Sequence, residues 1–392
     1  MRSNSLLTKG TKQLKVLAIC LFALVGSGCQ SSTKVNEQPL INNVANDNDY
    51  FLIGGYGMTD KSGVYLVSYN KSSQELTNEK LVAPSFNAAY LAWQPQSNTL
   101  YSIATDAEKS PLVNQFSWNT TKQQFGLYNT IKIAGKGICH INVNDKLQQL
   151  AIANYTSGNI SRFSINADTI DNIGDFKNIG KSITARQQAP FMHYVGWGNE
   201  NRYLYATDLG TDEILVFDST DKNLSPIQRI KMHPGDGPRH LVFHPTQKIV
   251  YSLNELSNSI SVFKQNSDSG KLTFIDKYLL NPKEKADVTN IASAIRIDNS
   301  GQHLYAAVRG ENMLYGFTIN SQGKLSMINK VSTGGDHPRD FNFSPEQEYL
   351  VVANQLSHQL NIIYRDKKSG KLTTTTTKLP MTSPSYVQHF SR

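Results

Sequence analysis

Four arginines and three histidines take corresponding places in repeated segments of this 392-residue chain: Arg239, Arg296, Arg309 and Arg339, with His140, His193 and His240. One carboxylate, Glu255, falls among them. Cations converging on one point attract an anion and raise its local concentration. Arginine also presents a planar fork of donors that fits a carboxylate or a phosphate. A carboxylate beside a histidine in such a field has the parts for general acid–base work on a carbonyl group. Each cation taken alone has a plainer reading, since Arg and His on inner strands often pair with backbone carbonyls or with acids such as Asp340. No nucleophile stands out: Cys139 has no base beside it in sequence, and no Gly-x-Ser-x-Gly motif occurs. Cys/His clusters at zinc spacing are missing too, so the expected chemistry uses neither metal nor cofactor.

What positions these residues is a strand-turn-strand unit that recurs about every 50 residues, a period that marks propeller blades. Short alternating strands open at Tyr90, Cys139, Met192, Arg239, Ser293, Arg339 and Tyr386. Each unit has room for about four short strands between turn residues. The last opening has no continuation, and the strands around Tyr50 and Val64 have no opening of their own, so the two fragments complete one another. The pattern predicts an all-β, seven-bladed propeller over residues 49–392, closed by pairing the C-terminal strand with the N-terminal ones. One blade cannot bury both of its faces, so the ring is a single domain. Strand a of each blade is expected to line the channel. Antiparallel reversal then puts the start of strand a and the end of strand b on one face, where a concave mouth forms. Cys139, His193, Arg239, Ser293 and Arg339 open the inner strands there, with His140 and His240 one step further in and Arg296 deeper. Asn154, Asp208, Asn254 and Asn354 repeat in the b–c turn, which suits the turn itself. The residues after that turn position vary: Tyr155, Leu209, Glu255, Arg309 and Gln355. His244 and His358 are expected on surface turns, and Trp93, Trp118 and Trp197 in packing between blades.

The first 28 residues read as a secretory signal. Arg2, Lys9, Lys12 and Lys15 precede an apolar run at 16–25 that is too short to cross a bilayer, and Gly26, Ser27 and Gly28 lead to Cys29. The arrangement resembles a bacterial lipoprotein signal, with Cys29 lipidated and residues 29–48 serving as a polar tether. Gly26, in place of the more usual Leu, leaves cleavage by an ordinary signal peptidase as the alternative. Gln30 rather than Asp points to the outer membrane, facing the periplasm. Removing those four basic residues from the formal +8 leaves +4, and no basic run is interleaved with aromatics, so nucleic acid is not an expected partner. Of the three cysteines, Cys20 leaves with the signal and Cys29 takes lipid, which leaves Cys139 without a partner for a disulfide.

The run Gly237-Pro-Arg-His-Leu-Val-Phe-His-Pro245, followed by Tyr251-Ser-Leu-Asn-Glu-Leu-Ser-Asn-Ser-Ile-Ser-Val-Phe263, resembles the hallmark blade of the lactonase family of seven-bladed propellers. Ala153-Asn-Tyr-Thr-Ser-Gly158, Tyr203-Leu-Tyr-Ala-Thr-Asp-Leu-Gly-Thr-Asp212 and Ser332-Thr-Gly-Gly-Asp-His-Pro-Arg339 agree with it, and the resemblance covers nearly everything after the tether. That family includes propeller-type 6-phosphogluconolactonases. The resemblance implies a catalytic set of His193, Arg239, Glu255 and Arg296, with His140, His240, Arg309 and Arg339 binding substrate. It implies a monomer acting on a small-molecule lactone, touching the membrane only through a lipid anchor. The family commonly carries an acid two residues before the later Arg, where this chain has Ala294. Export and that replacement favour an alternative, a non-catalytic envelope propeller that binds an anionic glycan or a protein partner.

Overall fold

The computed structural model describes residues 47–166, 169–280 and 290–391, apart from the side chains of Asn78 and Glu79. The expected signal, Cys29 and nearly all of the tether lie outside them. The described chain forms seven four-stranded antiparallel sheets and no helix. Six sheets use consecutive strands. In the seventh, Pro384–Phe390 pairs with Asn48–Gly55, so the C-terminal strand becomes the inner strand of a blade begun at the N-terminus. We number the blades one to seven by their inner strands, which start near residues 90, 139, 193, 239, 293, 339 and 385.

Alternation along the strands supplies two apolar faces per blade, and the core divides accordingly. Seven buried clusters each draw side chains from two adjacent blades; Tyr251, Leu253 and Ile260 of blade four, for example, pack on Leu304, Ala306 and Val308 of blade five. Polar latches reinforce the interfaces. The phenols of Tyr205, Tyr251 and Tyr305 donate to the carbonyls of Gly270, Gly323 and Gly370 in the outer turn of the following blade, at 2.7, 2.8 and 2.8 Å. Those glycines sit at φ values near +70°, and a Cβ at Gly270 would lie 2.3 Å from the Tyr203 ring, so the close approach requires glycine. Trp93 and Trp118 pack against Phe125 and Phe390 across the closing interface, the packing role read for them. His358 is exposed as expected. His244 is not: it is 1% exposed, pairs with the Gly301 carbonyl of the next blade at 2.9 Å, and accepts from two amides of its own turn. A turn position alone does not reveal a neighbouring blade closing over it.

The channel side differs from the expected register by one residue in three places. Each of four inner strands begins with a β-bulge, and the bulged residues are Cys139, His193, Arg239 and Arg339. Tyr90 and Tyr386 belong one step further in, level with His140, Tyr194 and His240, and the third strand's bulge is His193 rather than Met192. A bulge adds a residue that pairs with nothing across the ladder and re-aims its side chain. Tyr251→Phe should lower unfolding free energy by about 1 kcal/mol, because a buried carbonyl loses its donor. Urea denaturation checks this, and an unchanged midpoint would mean the latch contributes nothing.

Candidate active site

A repeated backbone bond sets Glu255 beside Arg239. The amide after strand b donates to the carbonyl just before strand a in blades two, three, four and six; for Glu255 the acceptor is Gly237, at 2.8 Å. Gly237 adopts φ +59°, and a Cβ there would lie 2.5 Å from Leu256. The Gly-Pro-Arg turn therefore sends the bulged Arg239 inward while the end of strand b delivers Glu255 next to it.

Glu255 is 3% exposed and surrounded by cations. Arg239 Nε donates to its Oε2 at 3.0 Å, Arg309 Nη2 reaches the same oxygen at 2.9 Å, and His193 Nε2 stands 3.9 Å away. Arg186 Nη1 caps the other oxygen, Oε1, at 2.7 Å. Backbone carbonyls of blade five hold the two buried guanidiniums: Arg239 Nη1 bonds Ser293 O, and Arg309 bonds Ile291 O and Ala292 O. Burial pushes the Glu255 carboxyl up, but the guanidiniums of Arg309, Arg239 and Arg186 together hold it well below its ordinary value. Arg309 is drawn down to about 10 by burial, against the pull of Glu255. Burial, aided by Arg239, keeps His193 neutral. The Cys139 thiol is pushed up to about 12 by burial, so it carries no thiolate.

Below this level an aromatic collar fills the channel. Rings of Tyr386, Tyr90, His140, Tyr194 and His240 follow one another with centroid separations from 4.1 to 6.2 Å. Arg296 lies beyond it, two residues past Ala294 on its strand, and pairs with Asp340 at 2.9 Å. The expectation that Arg296 stands at the mouth with Glu255 is therefore corrected. Asp340 comes from blade six and stands level with His140 and His240, one step past the bulge of its own strand. Arg339 stays at the mouth: its Nη2 donates to Tyr56 Oη at 2.8 Å, and its guanidinium lies 5.2 Å from that ring's centre. Among the described residues no carboxylate comes within ion-pair distance of it. Tyr56, Tyr90, Cys139, Arg239, His240, Arg339 and Asp340 line a narrow cleft here.

The structure thus gathers Arg239, Arg309, His193 and Glu255, sets Arg339 beside them, puts His140 and His240 in the collar, and separates Arg296. Sequence reasoning missed Arg186, Tyr56 and the collar tyrosines. The tyrosines were legible had one residue been allowed for each bulge. Arg186 sits in the long connection 178–191, which has no repeat position to flag it.

Burial, with Arg296 and Arg239, holds His140 down to about 3, and His240 is lowered for the same first reason. A histidine with a depressed folded pKa contributes stability that is full above about pH 6.5 and is lost as pH falls, because the unfolded state takes up the proton. By pH 5, His140 alone should remove about 2 kcal/mol. The melting temperature should fall between pH 7 and 5, and His140→Gln should flatten that slope. A melting temperature independent of pH would contradict a neutral His140.

Comparison with known proteins follows the same ring. Over residues 50–389 the chain matches the family described as lactonase, 7-bladed beta-propeller. It is 32% identical over 325 residues to the 6-phosphogluconolactonase of Bacillus subtilis, covering 82% of this chain and 92% of that protein. A 6-phosphogluconolactonase from Formosa agariphila is 31% identical over 353 residues, covering 85% and 98%. Among solved structures, a protein from Lactobacillus plantarum aligns with a TM-score of 0.83 at 28% identity, over 88% of this chain and 100% of that one. The repeat, the closed ring and this match agree: the chain belongs to the lactonase family of seven-bladed β-propellers.

Proposed function

We propose that this protein hydrolyses a sugar-type lactone at the channel mouth. The observation that carries the reading is a buried carboxylate ringed by cations beside a cleft lined by Arg339, which makes no ion pair among the described residues. Relatives named 6-phosphogluconolactonase support the reaction class.

In this mechanism the lactone ring enters the cleft with its carbonyl oxygen toward Arg239 and Arg339. Arg339 takes the role that Arg296, behind the collar, is not placed to fill. Fixed donors aimed at a developing oxyanion act most strongly where water is excluded. Water adds to the carbonyl carbon, and its proton goes to the Glu255–His193 pair. The ring C–O bond then breaks, and the proton passes to the departing alkoxide, leaving the open hydroxy acid. His193 is neutral and can accept a proton, while Glu255 supplies the negative charge that stabilises the imidazolium. Tyr90 and His240 floor the cleft. The signal-like segment ending at Cys29 supports a location in the cell envelope, where an unphosphorylated lactone is a more accessible substrate than a cytoplasmic sugar phosphate.

One observation favours a second reading, an anion-binding propeller without turnover: in the unliganded site both Glu255 oxygens are already occupied by arginines. A pH-indicator assay on 6-phosphogluconolactone, gluconolactone and muconolactone separates the two. Acid release above background, reduced at least about 100-fold in Glu255→Gln, is expected. Wild-type rates in that variant would remove Glu255 from the mechanism, and a folded protein that opens none of the three lactones would favour the binder.

A further inference from the structure

Arg186 differs from the other arginines on Glu255 in how it is held. Its side chain is 46% exposed, whereas Arg239 and Arg309 are 3% and 6% exposed. The backbone beneath it is pinned. Gln187 Nε2 donates to Leu209 O at 2.8 Å, and Ser182 Oγ to Asp212 Oδ2 at 2.5 Å. Asp212 also accepts from the amides of Gly235 and Gly237, at 2.7 and 2.6 Å, so one buried carboxylate ties the connection to the turn that delivers Arg239. The base of the arm is fixed relative to the site, and only the side chain is free to swing.

The two Glu255 oxygens are engaged unequally. Oε2 takes Arg239 and Arg309, which blade five also anchors. Oε1 takes Arg186, which also donates to the Tyr155 phenol at 3.4 Å. Water screens an ion pair whose arginine is nearly half exposed, so this pair is weaker than the two buried ones. An anion arriving from solvent therefore competes for Arg186 on nearly equal terms, while the buried pairs stay in place.

We propose that Arg186 is an exchangeable cap, which passes from Glu255 Oε1 to a second anionic group on the substrate and so uncovers that oxygen for the attacking water. This rests on the lactonase reading. The ligand class is a lactone carrying a phosphate or a carboxylate away from the reacting carbonyl; a neutral lactone leaves the cap on. The bond changes are those of hydrolysis: water oxygen joins the carbonyl carbon, the water's proton passes by way of Oε1 to the Glu255–His193 pair, the ring C–O bond breaks and the alkoxide receives that proton. Arg186 acts as a positioning and selectivity residue.

Steady-state kinetics on 6-phosphogluconolactone, glucaro-1,4-lactone and neutral gluconolactone test the proposal in wild type, Arg186→Gln and Arg186→Lys. In Arg186→Gln, KM for an anionic lactone should rise about 10- to 100-fold, while kcat/KM for gluconolactone rises several-fold because Oε1 is permanently open. Arg186→Lys should recover part of the anionic preference. The anionic lactone that loses more identifies phosphate or carboxylate as the recognised group. A loosened fold cannot move charged and neutral substrates in opposite directions. Equal loss on all three lactones, or no change on any, overturns the cap. If wild type opens no lactone, the lactonase reading fails, and calorimetry with 6-phosphogluconate decides the remainder: tenfold weaker binding in Arg186→Gln retains the anion-binding arm, and equal binding overturns it.

Discussion

Closure of the ring is the constraint from which the other features follow. A four-stranded blade with apolar residues on both faces cannot stand alone in water, because each face exposes side chains such as Tyr251, Val351 or Leu204 that are fully buried only against the next blade. The pairing of Pro384–Phe390 with Asn48–Gly55 removes the last two open faces together. It brings Phe390 against Trp93 and Trp118, and Tyr386 against Tyr90, so the seam between the two ends of the fold also completes the channel lining. Core and channel are thus products of the same event.

Closure also makes the buried charge tolerable. A lone carboxylate taken out of water is costly, and so is a lone guanidinium. At Glu255 each cost is offset by the other, with carbonyls of a neighbouring blade absorbing the remaining donors of Arg239 and Arg309. Those acceptors belong to blade five, Glu255 and Arg239 to blade four, His193 to blade three, and Arg186 to the connection leading into it. No single blade contains a satisfied version of this cluster. Bulges at the inner-strand starts are what release the side chains toward the axis, because a bulged residue is not committed to the alternation that sends its neighbours into the blade interfaces.

The collar divides the channel chemically. Above it, the arginines share the single carboxylate of Glu255, and Arg339 remains uncompensated. Arg296, deeper on its strand, makes a one-to-one pair with Asp340, which also lines the mouth cleft. Five rings in tilted or edge-on contact form the boundary, and burial holds the histidines neutral, so they add no further positive charge.

Much of this was legible in the sequence because the repeat is a physical unit: one period, three turns and one alternation recur, and corresponding residues must occupy corresponding places. The blade count, the ring closure and the meeting of Arg239 with Glu255 follow from that repetition alone. Depth and orientation do not. Arg296 and Arg309 belong to paired strands of one blade, yet Arg309 ends its strand on Glu255 whereas Arg296 lies deeper and meets Asp340. Tyr90 and Tyr386 change level through a single extra residue, which costs the alternation pattern nothing visible. His244 looks like a turn histidine until the adjacent blade covers it. Arg186 belongs to no repeat, and its place on Glu255 exists only because the chain has travelled round the axis. Local sequence determines which residues form a blade and where along it they fall; only the closed ring decides which of them meet, since His193 and Arg309 reach Glu255, and Arg339 reaches Tyr56, only between blades.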